Sequence, residues 1–494
     1  MRVLQNEKMG CIMQDYTKRI GALLLAALLL SSCSGGKDTG ETDSTVTTTA
    51  DTTETAPAET EITVELPDKN YGDAEVMFLT VQNTLDRYTC HEIYADEMNG
   101  QLINDAVFTR NGLVEEALGV KIAESKLENA EKVAQNSLVA GDTEYDVVMP
   151  YMNSAIALTT AGLLLELRTV PYLALEKPWW DQRVTEGMTI ADKLFFATGD
   201  ISILDNECTM VLFFNKDIVK KYDLDDPYTL VREKKWTIDK LGEMAAAVTQ
   251  DLDGDGVMTD KDAWGMPVVE NAANAFYFGA GERIVTKDEN GELQFCLGTD
   301  RSVDVFTKVM ELCLGADALY GASYDTRNLM FEEGRTFIAS FALTNLNGLR
   351  DCEYAFGILP YPLFNEAQPE YNNLISTTLV PTASVPYNNM DLECTGATLE
   401  AMAYYAVDTL TAAYYDNALK SRYVRDEESG EMLDILFATR VYDLGFIFNW
   451  GGAGNIITTL YKGKKTDIVS QWQTIQRKSE SERDKVQEAF AQLQ

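Results

Sequence analysis

The chain has 494 residues, 46% of them hydrophobic, and carries 78 acidic side chains against 41 lysines and arginines, a formal charge of −37. That length predicts about two to three domains with a sizeable core, and that charge excludes nucleic acid as a partner, because phosphate backbones would be repelled and no basic cluster overrides the average. The single histidine, His91, excludes zinc sites built on two or three histidines and is read as a loop residue, while carboxylate-based catalysis stays open.

Residues 1–32 carry Arg2, Lys8, Lys18 and Arg19, then an apolar run from Ile20 to Leu30, then Ser31 and Ser32. The run is well short of the ~20 residues that span a bilayer, so it predicts a cleaved signal peptide. The small residues followed by Cys33 resemble the lipobox of bacterial lipoproteins. That resemblance implies a diacylglyceryl thioether on Cys33, with palmitate-type chains, and a lipid anchor at the extracytoplasmic face of the bacterial cell membrane. An ordinary secretory signal beside a chance cysteine is the alternative. Residues 33–70 are rich in Thr, Asp and Glu and poor in apolar side chains. They cannot bury enough surface to offset their ordering entropy and predict a disordered tether.

Beyond the tether, Glu75–Val81 predicts a buried strand and Leu102–Leu118 a helix stopped by Gly119. A strand at Val120–Ile122, a helix near Lys132–Leu138 and a strand at Asp146–Met149 follow. This βαβαβ opening predicts a mostly parallel α/β sheet whose ligands lie beyond the carboxyl ends of its strands, in the loops after Val81 and Met149. Phe195–Ala197, Met210–Phe214, Thr336–Phe341 and Tyr354–Leu359 read as further strands. Long helical patterns occupy Leu392–Thr411 and Ile468–Leu493, the latter with Trp472, Ile475, Val486, Phe490 and Leu493 on one face. Six cysteines, Cys90, Cys208, Cys296, Cys313, Cys352 and Cys394, form no C-x-x-C pair, and both disulfides and buried thiols are compatible with their spacing.

The sharpest local motif is DLDGDGVMTDKD, Asp251 to Asp262. Asp251, Asp253 and Asp255 fall at the alternating ligand positions of a calcium loop, and Gly256 sits where its sharp turn falls. Val257 would offer its carbonyl, Thr259 a water-mediated contact, and Asp262 the closing carboxylate, where the pattern usually has the longer Glu. Calcium is thus expected as a structural cofactor, with a solvated Asp-Gly turn as the alternative.

The runs EYDVVMPYMNS, AGLLLEL, KLFFATGDIS, TMVLFFNKDIVKKY, KKWTIDKLGEMAAAVTQDLDGDG, FEEGRTFIAS and YAFGILPYP, in that order, resemble the extracellular solute-binding proteins of carbohydrate ABC importers, the maltose-binding-protein relatives. The resemblance implies a two-lobe α/β fold of the type II periplasmic-binding-protein kind, with lobe 1 at 71–203 plus 324–374 and lobe 2 at 204–323 plus 375–494. It implies a monomer that makes and breaks no bonds, closes on a sugar or oligosaccharide between its lobes and docks on permease subunits in the membrane. A cleft for sugars needs polar groups for hydroxyls and aromatic rings for C–H faces. The residues expected to supply them are Asn83, Asp86 and Arg87, Tyr151 and Asn153, Asp205, Asn206 and Glu207, Ser340, Thr344 and Asn345, and Arg440, Tyr442, Asp443 and Trp450. Trp179 and Trp180 fit the cleft and the core equally, and Trp236 fits the core better. A carboxylate-pair glycosidase, or a binder of another solute such as a peptide, are the alternatives.

Overall fold

The computed structural model describes residues 62–349, 352–420 and 427–493. The predicted signal peptide, Cys33 and nearly all of the tether lie outside the described residues. Two sheets organise the body Val64–Gln494. In the first, β1 (Ala74–Val81) pairs in parallel with β2 (Val120–Leu127) on one side and β3 (Val147–Met149) on the other. The helix Leu102–Leu118 connects β1 to β2 and ends at Gly119, whose φ of 63° supplies the left-handed stop its sequence predicts. The sheet then widens by single bridges. Val148 pairs antiparallel with Ser384, and Ala383 pairs antiparallel with Ala197.

The second sheet repeats this plan. β4 (Met210–Asn215) lies antiparallel between β9 (Ile338–Ala342) and β10 (Phe356–Leu359). Ahead of β9, Trp264 and Thr336 form a parallel bridge leading into β5 (Met266–Val268). β5 pairs in parallel with β8 (Ala318–Tyr320), and a hairpin of β6 (Val285–Lys287) and β7 (Leu293–Phe295) lies between them in sequence. Each sheet therefore takes one antiparallel strand from the stretch of chain that has just arrived from the other: β4 after the first crossing, residues 380–386 after the second.

This pairing redistributes the expected lobes. Residues 338–359 are hydrogen-bonded to β4, so the segment 324–374 belongs with the second sheet and not the first. Residues 380–386 bond to β3 and to Ala197, and the helix Leu392–Ala406 packs on the helix Leu102–Leu118, so this part of 375–494 belongs with the first sheet. The C-terminal helix Ile468–Gln492 touches both sides. Trp472 lies 4.8 Å from Phe295 of the hairpin, and Phe490 meets Phe195 edge-on at 5.3 Å. A helix of 25 residues is long enough, at about 37 Å, to strap the lobes together along their flank.

Burial follows the sequence where runs are uniformly apolar. Phe213, Phe331, Phe341 and Phe356 form an aromatic cluster beneath the second sheet, with Phe213 stacked on Phe341 at 4.9 Å. Trp179 and Trp180, open between cleft and core from the sequence, are core, and so is Trp236. The two adjacent tryptophans are held by one carboxylate: Glu400 accepts from Trp179 Nε1 at 3.0 Å and from Trp180 Nε1 at 2.9 Å. The described cysteines are all free thiols, and all but Cys296 are buried.

Gly199 bridges Trp180 where the chain turns toward the second lobe. A Cβ there would come within 2.3 Å of the Trp179 carbonyl oxygen. Gly199→Ala is expected to destabilise the protein by about 1–3 kcal/mol through this overpacking, read as a lower urea midpoint at unchanged m-value.

Candidate functional site

The candidate residues lie in the loops beyond the carboxyl ends of the parallel strands of the two sheets. Beyond β1 the chain forms the short turn Asp86–Tyr88, and beyond β3 it reaches Tyr151, the residue before the helix Met152–Thr160. Tyr151 Oη accepts from Asn83 Nδ2 at 2.9 Å and donates to the Tyr88 carbonyl at 2.8 Å, so these two loops are fixed to each other. Asn153 is exposed beside them. On the opposite wall, β5 leads to Glu270 and Asn271, β8 to the helix Tyr324–Glu332, and β9 to Thr344.

The walls are electrostatic neighbours. Tyr88 and Arg87 of the first lobe both act on the ionisation of Arg327 in the second, and Tyr88 acts on that of Tyr324. Tyr324 is 48% exposed, and the Arg327 guanidinium lies 5.3 Å from its ring centre. Two aromatic rings thus flank the gap, one from each lobe. Asn271 Oδ1, at the end of β5, and Glu131 Oε1, just after β2, are buried oxygens with no partner among the described residues. A buried acceptor without a donor is costly unless water or a ligand meets it.

The expected residues divide by what they touch. Asn83, Asp86, Arg87, Tyr151 and Asn153 surround the first-lobe loops, and Glu207 and Thr344 meet near the carboxyl end of β9. Burial pushes the Glu207 carboxyl up to about 7, with the nearby Glu92 adding to the shift and the Thr344 side chain opposing it. Asn345 accepts from the backbone N–H of Ala342 at 3.2 Å. The Ser340 hydroxyl is engaged by Tyr361 Oη and is fully buried, so it lies beneath the surface of the gap.

The C-terminal residues are committed to the fold instead. Asp443 is 2% exposed, caps the helix Leu444–Phe448 through Phe446 N–H at 2.8 Å and accepts from Ile284 and Val285 N–H with its other oxygen. Trp450 is buried and stacked on Phe448 at 4.7 Å. Tyr442 donates to Asp181 at 3.1 Å. Arg440 forms the strand β12 (Arg440–Val441), which pairs with β11 (Asn373–Leu374) at the second crossing. Its guanidinium bonds Asp181 at 2.9 Å, Asp205 at 3.2 Å and Asn206 at 2.7 Å. Asp205, Asn206 and Arg440 therefore join the crossing strands, where Thr209 also bridges Ile375. The carboxylates of Asp205 and Asp443 and the hydroxyl of Tyr442 are engaged within the fold, while Arg440 Nε and Trp450 Nε1 are buried with no partner among the described residues.

One arginine stands among several carboxylates at this junction. Burial pushes both Asp200 and Asp205 up to about 7. Asp181 adds to the shift of each, Asp408 adds to that of Asp200, and Asp200 to that of Asp205. Arg440 opposes both shifts, and the Thr411 hydroxyl, donating to Asp200 at 2.7 Å, opposes that of Asp200. Arg440 stays charged because Asp181 and Asp205 outweigh its burial.

In the calcium-type loop, Asp251, Asp253 and Asp255 bring carboxylate oxygens within 4.8 Å of one another. Gly256 has a φ of 80°, the conformation its place in the motif requires. Asp262 is not one of this trio. Its oxygens accept from Leu252 N–H at 3.0 Å and Thr259 N–H at 2.7 Å, because its short side chain closes the loop on backbone donors. Trp264 Nε1 donates to the Thr259 carbonyl at 2.6 Å and ties the loop to the second sheet. Three convergent hard oxygens on a glycine-turned loop fit a calcium ion.

Tyr88, Tyr324, Arg327 and Glu270 escape sequence reading. The strands ahead of Glu270 and of Tyr324 and Arg327, β5 and β8, are three residues each and too short for alternation to register. Ser323 before Tyr-Asp-Thr is a helix-cap signal that could have located the second pair.

Residues 123–309 match the family model described as bacterial extracellular solute-binding protein. No protein of the curated set matches the chain in sequence. Among solved structures, the apo form of RafE from Streptococcus pneumoniae is similar at 14% identity, with 85% of this chain and 97% of that chain covered and a TM-score of 0.52. A cyclo/maltodextrin-binding protein complexed with maltotetraose is similar at 15% identity, with coverage of 85% and 98% and a TM-score of 0.52. An ABC substrate-binding protein from Listeria monocytogenes in complex with cycloalternan follows at 10% identity, with coverage of 85% and 99% and a TM-score of 0.51.

Two predictions test the junction. Arg440→Met is expected to cost about 3–5 kcal/mol in chemical denaturation, because it strands buried carboxylates without their counter-charge. Asp200, Asp205 and Glu207 hold protons in the folded protein at pH values where the unfolded chain has lost them. Stability is therefore expected to fall as pH rises from about 4 through about 7, and Asp200→Asn should flatten part of that slope in denaturation curves at stepped pH. Residues 123–309 thus match the model of bacterial extracellular solute-binding proteins, and the described body shares the fold of the solved structures similar to it.

Proposed function

We propose that the chain is the lipid-anchored substrate-binding subunit of an ABC importer, taking a sugar or oligosaccharide between its lobes and presenting it to a membrane permease. One observation carries this reading: Tyr88, on the turn beyond β1, and Tyr324, on the helix beyond β8, come close enough to influence each other's surroundings across the two sheets. Such rings match the C–H faces of a pyranose, and the amide and carboxyl groups of Asn83, Asn153 and Glu207 match its hydroxyls. The maltotetraose and cycloalternan named for two of the similar structures support the same class of ligand. A ligand that touches both walls favours the closed form over the open one by its differential contacts, and no bond is made or broken. The lobes are assigned as 71–203 with about 376–411, and about 204–375, with the C-terminal helices along both. Cys33 carries the lipid, and residues 34–70 give the body reach from the membrane.

A thermal-shift screen against mono- and oligosaccharides tests the reading. Stabilisation of about 2.7 kcal/mol is expected at a hundredfold excess over Kd, with unaltered saccharide recovered by chromatography. Products in that assay would overturn it in favour of a hydrolase. Tyr324→Ala is expected to lose about tenfold or more in affinity while the fold stays intact, since the ring is half-exposed.

Calcium in the Asp251–Asp262 loop serves the fold. Bound by Asp251, Asp253 and Asp255, it relieves their mutual repulsion and stiffens the link between the helix Ile238–Val248 and Trp264. Added Ca²⁺ is expected to raise Tm, chelation to reverse it, and Asp253→Ala to abolish the response. An unchanged Tm in all three would reduce the loop to a hydrogen-bonded turn.

A further inference from the structure

The turn that carries Tyr88 is closed on itself and then clamped from outside by the Tyr151 hydroxyl. Within the turn, Cys90 N–H donates to the Val81 carbonyl at 3.2 Å, Tyr88 N–H to the Leu85 carbonyl at 2.9 Å, and Asn83 N–H to Thr89 Oγ1 at 2.9 Å. Asn83 Oδ1 accepts from Leu85 N–H at 2.9 Å. These bonds set the shape of the turn locally. Its tip, Thr84 to Arg87, is exposed, so its tilt against the first sheet depends on what holds its two legs.

Tyr151 holds them from a fixed base. Its backbone bridges Pro381 of the returning strand, flanked by bonds from Thr382 N–H to the Pro150 carbonyl and from Met152 N–H to the Val380 carbonyl, each at 2.9 Å. Its own carbonyl accepts from Ser154 and Ala155 N–H at 2.8 and 3.0 Å, at the start of the helix Met152–Thr160. The side chain is buried in the core of the first sheet. From there its hydroxyl donates to the Tyr88 carbonyl at 2.8 Å and accepts from Asn83 Nδ2 at 2.9 Å, one partner on each leg of the turn. Burial pushes that hydroxyl up to about 12, so it keeps the proton it donates. With the proton committed to Tyr88, Tyr151 cannot donate to a solute, and its effect on one runs through the turn.

We propose that Tyr151 is a positioning residue: its hydroxyl fixes the Tyr88 turn in the free protein, so that the Tyr88 ring meets a saccharide already in its binding pose. This rests on the sugar-importer reading and moves Tyr151, expected from the sequence as a contact, one step back from the solute. Ordering a turn and its side chains on binding subtracts from affinity, and a clamp already closed in the free protein avoids that cost. Opening the clamp should weaken binding even though the Tyr88 ring is still present.

The test is Tyr151→Phe in the full chain, which keeps the buried ring and removes the hydroxyl. Hydrogen exchange of the free protein should become faster over residues 82–90 while the helix Met152–Thr160 keeps its protection, and the urea midpoint checks that the variant is folded at the titration temperature. Calorimetric titration with maltotetraose, cellotetraose and xylotetraose should show the tightest-bound probe weakened about three- to tenfold, the range of one or two lost hydrogen bonds. The same titrations in a Tyr88→Ala background separate positioning from general weakening: with the positioned ring gone, Tyr151→Phe should cost less than about twofold. Unchanged exchange over 82–90, unchanged affinity, or equal fold-losses in both backgrounds would overturn the positioning role and leave the sugar reading standing. Absence of binding to every probe by the unaltered chain would overturn both.

Discussion

The crossing strands between the lobes depend on a single guanidinium. Arg440 reaches Asp181 before the first crossing and Asp205 and Asn206 on it, while its own backbone in β12 pairs with β11 on the second. Three separate stretches of chain are thereby tied at one buried point. A hydrophobic cluster would hold them together without fixing their angle, whereas a guanidinium fork is directional. Burying more carboxylate than arginine there keeps protons on acids near neutrality. The ligand walls can then be built from loops, because the elements that aim them are fixed at the rear.

The exchange of antiparallel strands has the same effect on position. β4 starts at the carboxyl end of β9, and residues 380–386 start at the carboxyl end of β3, so each crossing delivers the chain to the edge of the gap. Glu207 lies at the gap for that reason, immediately before β4. Lobe closure can move the facing loops together while the bridges Thr209 to Ile375 and β11 to β12 absorb the change in a few residues.

Sequence reading located most of the secondary structure that is uniformly buried. EVMFLTV is mostly apolar and MVLFF wholly so, which marks both as covered strands, and the helix ended at Gly119 as its composition requires. It assigned 324–374 to the wrong lobe because β9 and β10 pair with β4 across more than 120 residues, and no local pattern records a partner that distant. The strand at 380–386 is disguised by Pro381 and Pro386, which are tolerated where bridging is sparse. The Asp251 loop was legible because its chemistry is local, whereas Arg440 and Asp443 looked like ligand contacts only because a polar residue's partners cannot be read from its neighbours in sequence.

Net charge now separates into a surface property and a local exception. An excess of carboxylates repels acidic partners at long range, but screening confines that repulsion to about 8–10 Å at physiological salt. At short range the immediate neighbours decide instead: the buried Arg327 guanidinium lies 4.0 Å from the Phe341 ring and 5.3 Å from that of Tyr324, and its nitrogens meet neutral oxygens, so no carboxylate is needed to hold it.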